Sequence, residues 1–463
     1  MPQQATPVSA DSGSFPMPEE DWLQSYEQYN AIDSAFSGRT SRPFASHLRK
    51  IIPVKTEDRP LLDHFLESVL RLVFPVLELH SEGPARTLEI LLSLETNDSY
   101  LHCCLSVSAL HLKTSMNITA EQIDDDIMRH RYSAVSKLSK ELSCGSNHEK
   151  VLDATLAMIF FHSSVCATDD YLPDIAWYSH FQAVSSLVEK MECAPRPFST
   201  SLIAWIDIFG ATMLGRKPQF AHTYRTRHLN GTSSGLKELM GCEDRIMYMI
   251  AEIACLDSLK AESRIDDIYL YGQIAALSAQ LDHTEPAEKT FRNPVTSSGA
   301  IEAEHLTKNV TAVFRTAARI YLRSLSPDFN VNHRSTLALV ESVAEILQFI
   351  PAGPYGFDRS IVWPLLITGA FSVASSPFRA SLHQRASALT VLGDFGSFGR
   401  MYRVLQEIFR LMDDPTTPSL AVTDPYYARS SSPSLGTPGV SIRKQQVHWR
   451  EVMRRNGWRY LLL

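Results

Sequence analysis

The chain has 463 residues, 44% of them hydrophobic and 21% charged, and a formal net charge of −7. That balance supports a large apolar core and argues against wrapping nucleic acid on a broad basic face, since neutralising phosphates takes clustered Lys and Arg. The start, MPQQATPVSADSGSFPMPEEDW, has no basic n-region or apolar h-region of a secretory signal. The longest weakly charged stretch, Ile361 to Ala374, falls short of the roughly 20 residues a bilayer span needs. A soluble intracellular protein with no membrane partner is expected.

Residues 1–57 are rich in Pro, Ser and Gln and keep no sustained period, so this segment is expected to be disordered. Within it Glu19, Glu20 and Asp21 stand beside Trp22, followed by Tyr26 and Tyr29. Such acidic-aromatic text suits a contact that folds onto an apolar groove of a coactivator. From Asp58 onward the text turns helical. Leu62, Phe65, Leu66, Val69, Leu70 and Val73 recur at three- and four-residue steps, which predicts a helix over 61–77. Asn97-Asp98-Ser99 supplies caps for a second helix through Leu101, Leu105, Val107, Ala109 and Leu112. Further helices are predicted at 120–143, 149–167, 173–191, 199–214, 243–263, 265–281, 300–324, 333–349, 360–373, 378–392, 398–412 and 442–455. Sustained strand alternation is missing, so the predicted fold is all-α. Residues 58–463 form one multi-helix body of packed antiparallel helices, interrupted by flexible polar loops at 283–299 and 413–441.

Motifs for chemistry are scarce. Gly393, Gly396 and Gly399 follow no strand and read as a turn between helices. Asp124-Asp125-Asp126 and Asp266-Asp267 lack a carboxylate one helical turn away, so they read as helix starts and not as a magnesium site of a terpenoid cyclase. His222 and His228 fall six residues apart in a predicted loop, and His102 and His111 share helical text, without metal-ligand spacing. The seven cysteines, scattered from Cys103 to Cys255, read as buried small hydrophobes. No C-x2-C pair occurs, which excludes a cysteine-ligated zinc module from these 463 residues. No catalytic residue, cofactor or metal is expected. The one basic concentration, Arg443 to Arg459, sets six bases against Glu451 around Trp449, Val452, Met453 and Trp458. It reads as a terminal helix docked on the core with its charges outward.

The stretch WIDIFGATMLGRKPQFAHTYR, from Trp205 to Arg225, resembles the signature of the fungal-specific transcription factor domain, the regulatory region of zinc-binuclear-cluster regulators. The shared pattern is Trp205, Gly210-Ala211, Gly215-Arg216-Lys217-Pro218 and Phe220. Leu239-Met240-Gly241-Cys242, Val362-Trp363-Pro364 with Gly369, and His448-Trp449-Arg450 agree in order along the chain. Each piece also has a scaffold reading: Gly210 and Ala211 for close helix approach, Trp205 for core volume, Gly215 to Pro218 for a left-handed cap followed by proline. The resemblance implies a nuclear transcriptional regulator, governing metabolic or secondary-metabolite genes through other regulators or coactivators. DNA would be reached indirectly, or through a zinc-cluster module missing from this chain. A homodimer is compatible with this reading, and an all-α cyclase-like enzyme or a non-nuclear helical scaffold is the alternative. Thr417, Ser432 and Thr437, each before a proline, are candidate phosphosites beside the basic C-terminal helix.

Overall fold

The computed structural model describes residues 52–463, apart from 117, 119–120, 146, 166–176, 287–289 and 414–446. Trp22, Tyr26 and Tyr29, and Thr417, Ser432 and Thr437, lie outside the described residues.

The molecule is all-α. A short antiparallel bridge, Val295 to Ile301, lies in the polar loop. Helix α1 runs as Arg59–His64, a π-turn Phe65–Val69 and Leu70–Val73, and it stops where Phe74 turns to φ −125° before Pro75. It is therefore shorter than its apolar run, whose last residues form the 3-10 turn Leu77–Leu79. Helix α2, Gly83–Thr96, was not expected: it opens with a proline in its first turn and buries only Gly83, Ile90, Leu91, Ser93 and Leu94, too few for a visible stripe. Helices α3 (Asp98–Ser115), α4 (Glu121–Cys144) and α5 (His148–Val165) then form an up-down-up layer, with Asn97 capping α3 through its side chain to Tyr100 N at 3.2 Å. Helix α6 is Trp177–Lys190.

The central element is α7, Pro197–Leu214, with 15 of its residues buried from Phe198 to Met213. By length and apolar composition it is the one described helix able to cross a membrane, a stretch longer than Ile361–Ala374; 83% of it is buried inside the body, which makes it a core helix. Helix α8, Ala221–Asn230, holds both His222 and His228, where a loop was expected. Tyr224 is its only buried residue, so it shows no apolar period. Its ends are fixed instead by chemistry, with a carboxylate at the start and Gly231 in the left-handed region at the end. Short α9 (Leu236–Met240) leads to α10 (Asp244–Ala261) and α11 (Asp267–His283).

After the polar loop come α12 (Ala303–Ser324), α13 (Arg334–Leu347), α14 (Val362–Ala370), α15 (Pro377–Ala388), α16 (Gly396–Asp413) and α17 (Trp449–Arg455). The predicted 442–455 helix is described only from Trp449, and the predicted 378–392 helix gives way to a 3-10 turn at Thr390–Asp394. Gly396, with φ +62°, begins α16 at that turn. One continuous core runs through the whole described body, from Ile52 to Leu463. Two aromatic clusters flank α7. Trp205 packs edge-on against Phe160 at 5.0 Å and Phe74 at 6.4 Å. One turn on, Phe209, Phe314 and Trp363 stack with centroids 5.5–6.1 Å apart.

Candidate functional site

The signature residues gather where the end of α7 meets the C-terminal segment. Gly215 ends α7 with φ +65° and ψ +39°, and the next N–H, on Arg216, reaches back to Ala211 O at 3.1 Å. The left-handed turn is the cap that a glycine favours. It also makes room: a Cβ on Gly215 would sit 3.1–3.5 Å from the guanidinium of Arg450. That guanidinium donates from Nε to Thr212 O at 2.7 Å and from Nη2 to Asp257 Oδ2 at 2.6 Å and Tyr321 Oη at 3.1 Å. Tyr321 donates in turn to Asp257 at 2.7 Å. Trp363 Nε1 donates to Thr212 Oγ1 at 2.8 Å. Four helices, α7, α10, α12 and α14, are thus tied to α17 through one side chain and its partners.

This overturns one expectation. The charges of the terminal helix were expected to face outward, and Arg454 and Arg455 do, pairing with Glu451. Arg450 goes inward, because its position between buried Trp449 and Val452 aims it at the only described carboxylate within ion-pair reach, Asp257. Burial by itself would raise the Asp257 carboxyl; the Arg450 charge and the Tyr321 and Arg450 hydrogen bonds outweigh it and hold the group below its ordinary value. Beside it, burial pushes the His448 imidazole down to about 3, so it is neutral, stacks on Trp449 at 3.8 Å and accepts from Arg450 N at 3.2 Å as the cap of α17. Trp449 meets Tyr321 and Phe371 edge-on.

The second half of the clamp is made by Gly210. A Cβ there would lie 2.8 Å from two ring carbons of Trp177 on α6, and Trp177 Nε1 donates to Arg459 O at 3.1 Å. Leu461, Leu462 and Leu463 are buried beyond it. Gly210→Ala is therefore expected to cost about 1–3 kcal/mol by overpacking. Urea denaturation should show most of that loss recovered when Trp177→Leu is added, measured against Trp177→Leu alone.

Asp207, which sequence reasoning passed over, organises the rest of the signature. Its carboxylate is buried and accepts from Gln219 N at 2.8 Å, Phe220 N at 2.9 Å and Tyr224 Oη at 2.9 Å. It thereby caps α8 from another helix and fixes the Gly215–Phe220 turn. The available signal was a lone charge in an otherwise apolar helix. Arg216 reaches Tyr178, donating to its hydroxyl and lying 4.9 Å from the ring centroid. A shallow groove lined by Tyr178, Leu214, Arg216 and Lys217 opens there.

Burial raises the Asp207 carboxyl to about 6 against the pull of its three donors. Its folded value thus lies above the unfolded value of about 3.9. Its contribution is complete below about pH 4 and is lost as pH rises through about 6. Asp207→Asn should remove that component: the stability difference between wild type and variant, from urea melts, should favour wild type more at pH 5 than at pH 7.5. A difference independent of pH would contradict the assignment.

The other sequence candidates separate. Asp124 pairs with Lys113, Asp126 with Arg129, and Asp266 caps α11 by accepting from Tyr269 N at 2.7 Å, as helix starts do. His102 faces His130 at 2.8 Å and His111 faces His64 at 2.8 Å, with burial lowering the affinity of all four for protons. Among the described residues no group of three or more His, Cys, Asp or Glu converges to hold a metal. Cys103, Cys104 and Cys242 are buried as expected, Cys255 partly so, whereas Cys144 and Cys193 are exposed and Cys166 lies outside the described residues.

The sequence profile of the fungal-specific transcription factor domain matches residues 60–463. The chain belongs to this family of transcriptional regulators. It is 42% identical to the transcriptional regulatory protein pro1 of Neurospora crassa, an alignment covering 97% of this chain and 67% of that protein. It is 23% identical to the transcription factor dibT of Pestalotiopsis microspora, over 49% of this chain and 39% of the relative. It is 22% identical to the pestheic acid cluster transcriptional regulator 3 of Pestalotiopsis fici, over 79% and 74%. No solved structure matches.

Proposed function

We propose that this regulator works in the nucleus as a protein-contact platform whose input is the docking of its own C-terminal segment, and that it carries no catalytic activity. The observation that supports this is the Arg450 junction. One side chain from α17 satisfies groups on three core helices, so a change that removes it or weakens its partners would bias the whole segment toward release. Phosphorylation at Thr417, Ser432 or Thr437 would place charge next to the basic end of the chain and bias that docking. Trp22, Tyr26 and Tyr29 would recruit coactivators by an amphipathic contact. DNA would be reached through a DNA-bound regulator, or through a zinc-cluster module outside these 463 residues. The name of the pestheic acid cluster relative supports a secondary-metabolite gene set as the target.

Fusing the chain to a heterologous DNA-binding module tests this reading. The fusion is expected to change reporter output relative to the module alone. Arg450→Met should shift that output at equal protein level, and Trp22→Ala/Tyr26→Ala/Tyr29→Ala should lower any activation at least several-fold. A fusion with the output of the bare module rejects the platform reading.

A further inference from the structure

The groove beside the cap of α7 has an apolar floor and a basic rim. Trp177, Tyr178 and Leu214 line it, and Leu214 is 38% exposed. Arg216 and Lys217 stand exposed at its edge, and Arg459 is exposed where its carbonyl accepts from Trp177 Nε1. Among the described residues neither Arg216 nor Lys217 forms an ion pair; Arg216 donates to the Tyr178 hydroxyl. The carboxylates near them are already engaged, Asp207 by its three donors and Glu262 by Arg264 at 3.1 Å. Uncompensated cations around an apolar floor suit an acidic segment that carries large apolar side chains.

The chain itself carries such a segment. Between Met1 and Gly38 there are six acidic residues and no Lys, Arg or His. Trp22, Tyr26 and Tyr29 step by four and three residues, a spacing that sets three rings on one face of a helix. Glu19, Glu20, Asp21 and Glu27 stand beside them in sequence. We infer that residues 19–29 dock in this groove of the same chain, rings on Tyr178 and Leu214 and carboxylates toward Arg216 and Lys217. Charge complementarity selects the occupant, and length permits it. The 22 residues between Tyr29 and Ile52 can span up to about 75 Å, more than the roughly 55 Å width of a compact body of this size. Tethering at an effective concentration of about a millimolar keeps even a contact of about 100 µM mostly formed. Docking withholds the three rings from other proteins, so the groove acts as a holding site for the segment. The contact does not depend on whether those rings recruit a coactivator: reporter output reads recruitment, and cross-linking reads docking.

Carbodiimide treatment of the full chain joins an amine to a carboxylate only where the two are in contact. In the monomer fraction, mass spectrometry is expected to find Lys217 linked to Glu19, Glu20, Asp21 or Glu27. Trp22→Ala/Tyr26→Ala/Tyr29→Ala should lower the yield of those links several-fold, because the rings hold the segment in place. Leu214→Glu should do the same with unchanged far-UV circular dichroism, since that side chain is partly exposed and the added charge repels the acidic segment. Links from Lys217 to Glu262 alone overturn the proposal. Links to Asp169, Asp170 or Asp174 in place of residues 19–27 overturn it by naming another occupant, and links to 19–27 found only in dimers assign the segment to a second copy. Undiminished yield in the triple Ala chain overturns it as well.

Discussion

Replacing Arg450 with methionine is expected to lower the stability of the fold by about 3–5 kcal/mol, measured by urea denaturation at pH 7. The size follows from what is left behind. Asp257 is buried, and its only described cationic partner within ion-pair distance is Arg450. Without it the carboxylate keeps Tyr321 alone and must ionise at a cost or take up a proton. Thr212 O loses a donor at the same time. Because Asp257 is held below its ordinary value in the folded protein, the pair stabilises above the unfolded value of about 3.9 and fades as pH falls below it. The penalty for Arg450→Met should therefore shrink toward pH 3. Arg450→Met/Asp257→Leu should recover most of the loss, since removing both charges leaves no buried ion. A penalty below about 1 kcal/mol would mean the pair is not buried as described.

Trp363→Ala is expected to cost about 3–5 kcal/mol, read from circular dichroism so that the signal does not depend on the residue removed. The indole is fully buried against Phe209 and Phe314, touches Tyr321 edge-on and anchors Thr212. Its removal opens a cavity under the site where Arg450 docks, so the C-terminal segment should loosen as well. Trp363→Phe should cost only about 1–2 kcal/mol: the stack survives, and the Thr212 hydroxyl still donates to Phe209 O at 2.8 Å. Equal losses from Ala and Phe would show that the hydrogen bond, not the stack, dominates.

The fold class was readable because burial and helical period coincide. In α12, residues from Leu306 to Leu322 face one core, and in α7 the apolar run is long enough to need no period at all. Helix α8, which draws stability from capping and not from an apolar stripe, was invisible, and so was α2, which buries too few residues for a visible one. For α8 the deciding group is Asp207, twelve residues before the N–H it accepts from, and no local pattern announces such a pairing. The signature around Trp205 to Phe220 was legible as scaffold, including the left-handed cap at Gly215. What these glycines make room for was not legible. Trp177 and Arg450 lie 33 residues before Gly210 and 235 residues after Gly215, and only the tertiary fold brings them together. Arg450 was misread for the same reason: a basic run looks solvated until one member finds a buried carboxylate.

Hydrogen exchange of the full chain, followed by mass spectrometry in wild type and Arg450→Met, tests the clamp most directly. In wild type the amides of Val452 to Leu463 are expected to exchange as slowly as those of α7, opening only with the global transition. Arg450→Met should speed exchange there by at least a hundredfold, and by more than the change seen in α3 to α5. Exchange of this segment within seconds in the wild-type protein would contradict a docked C-terminus and the control role built on it.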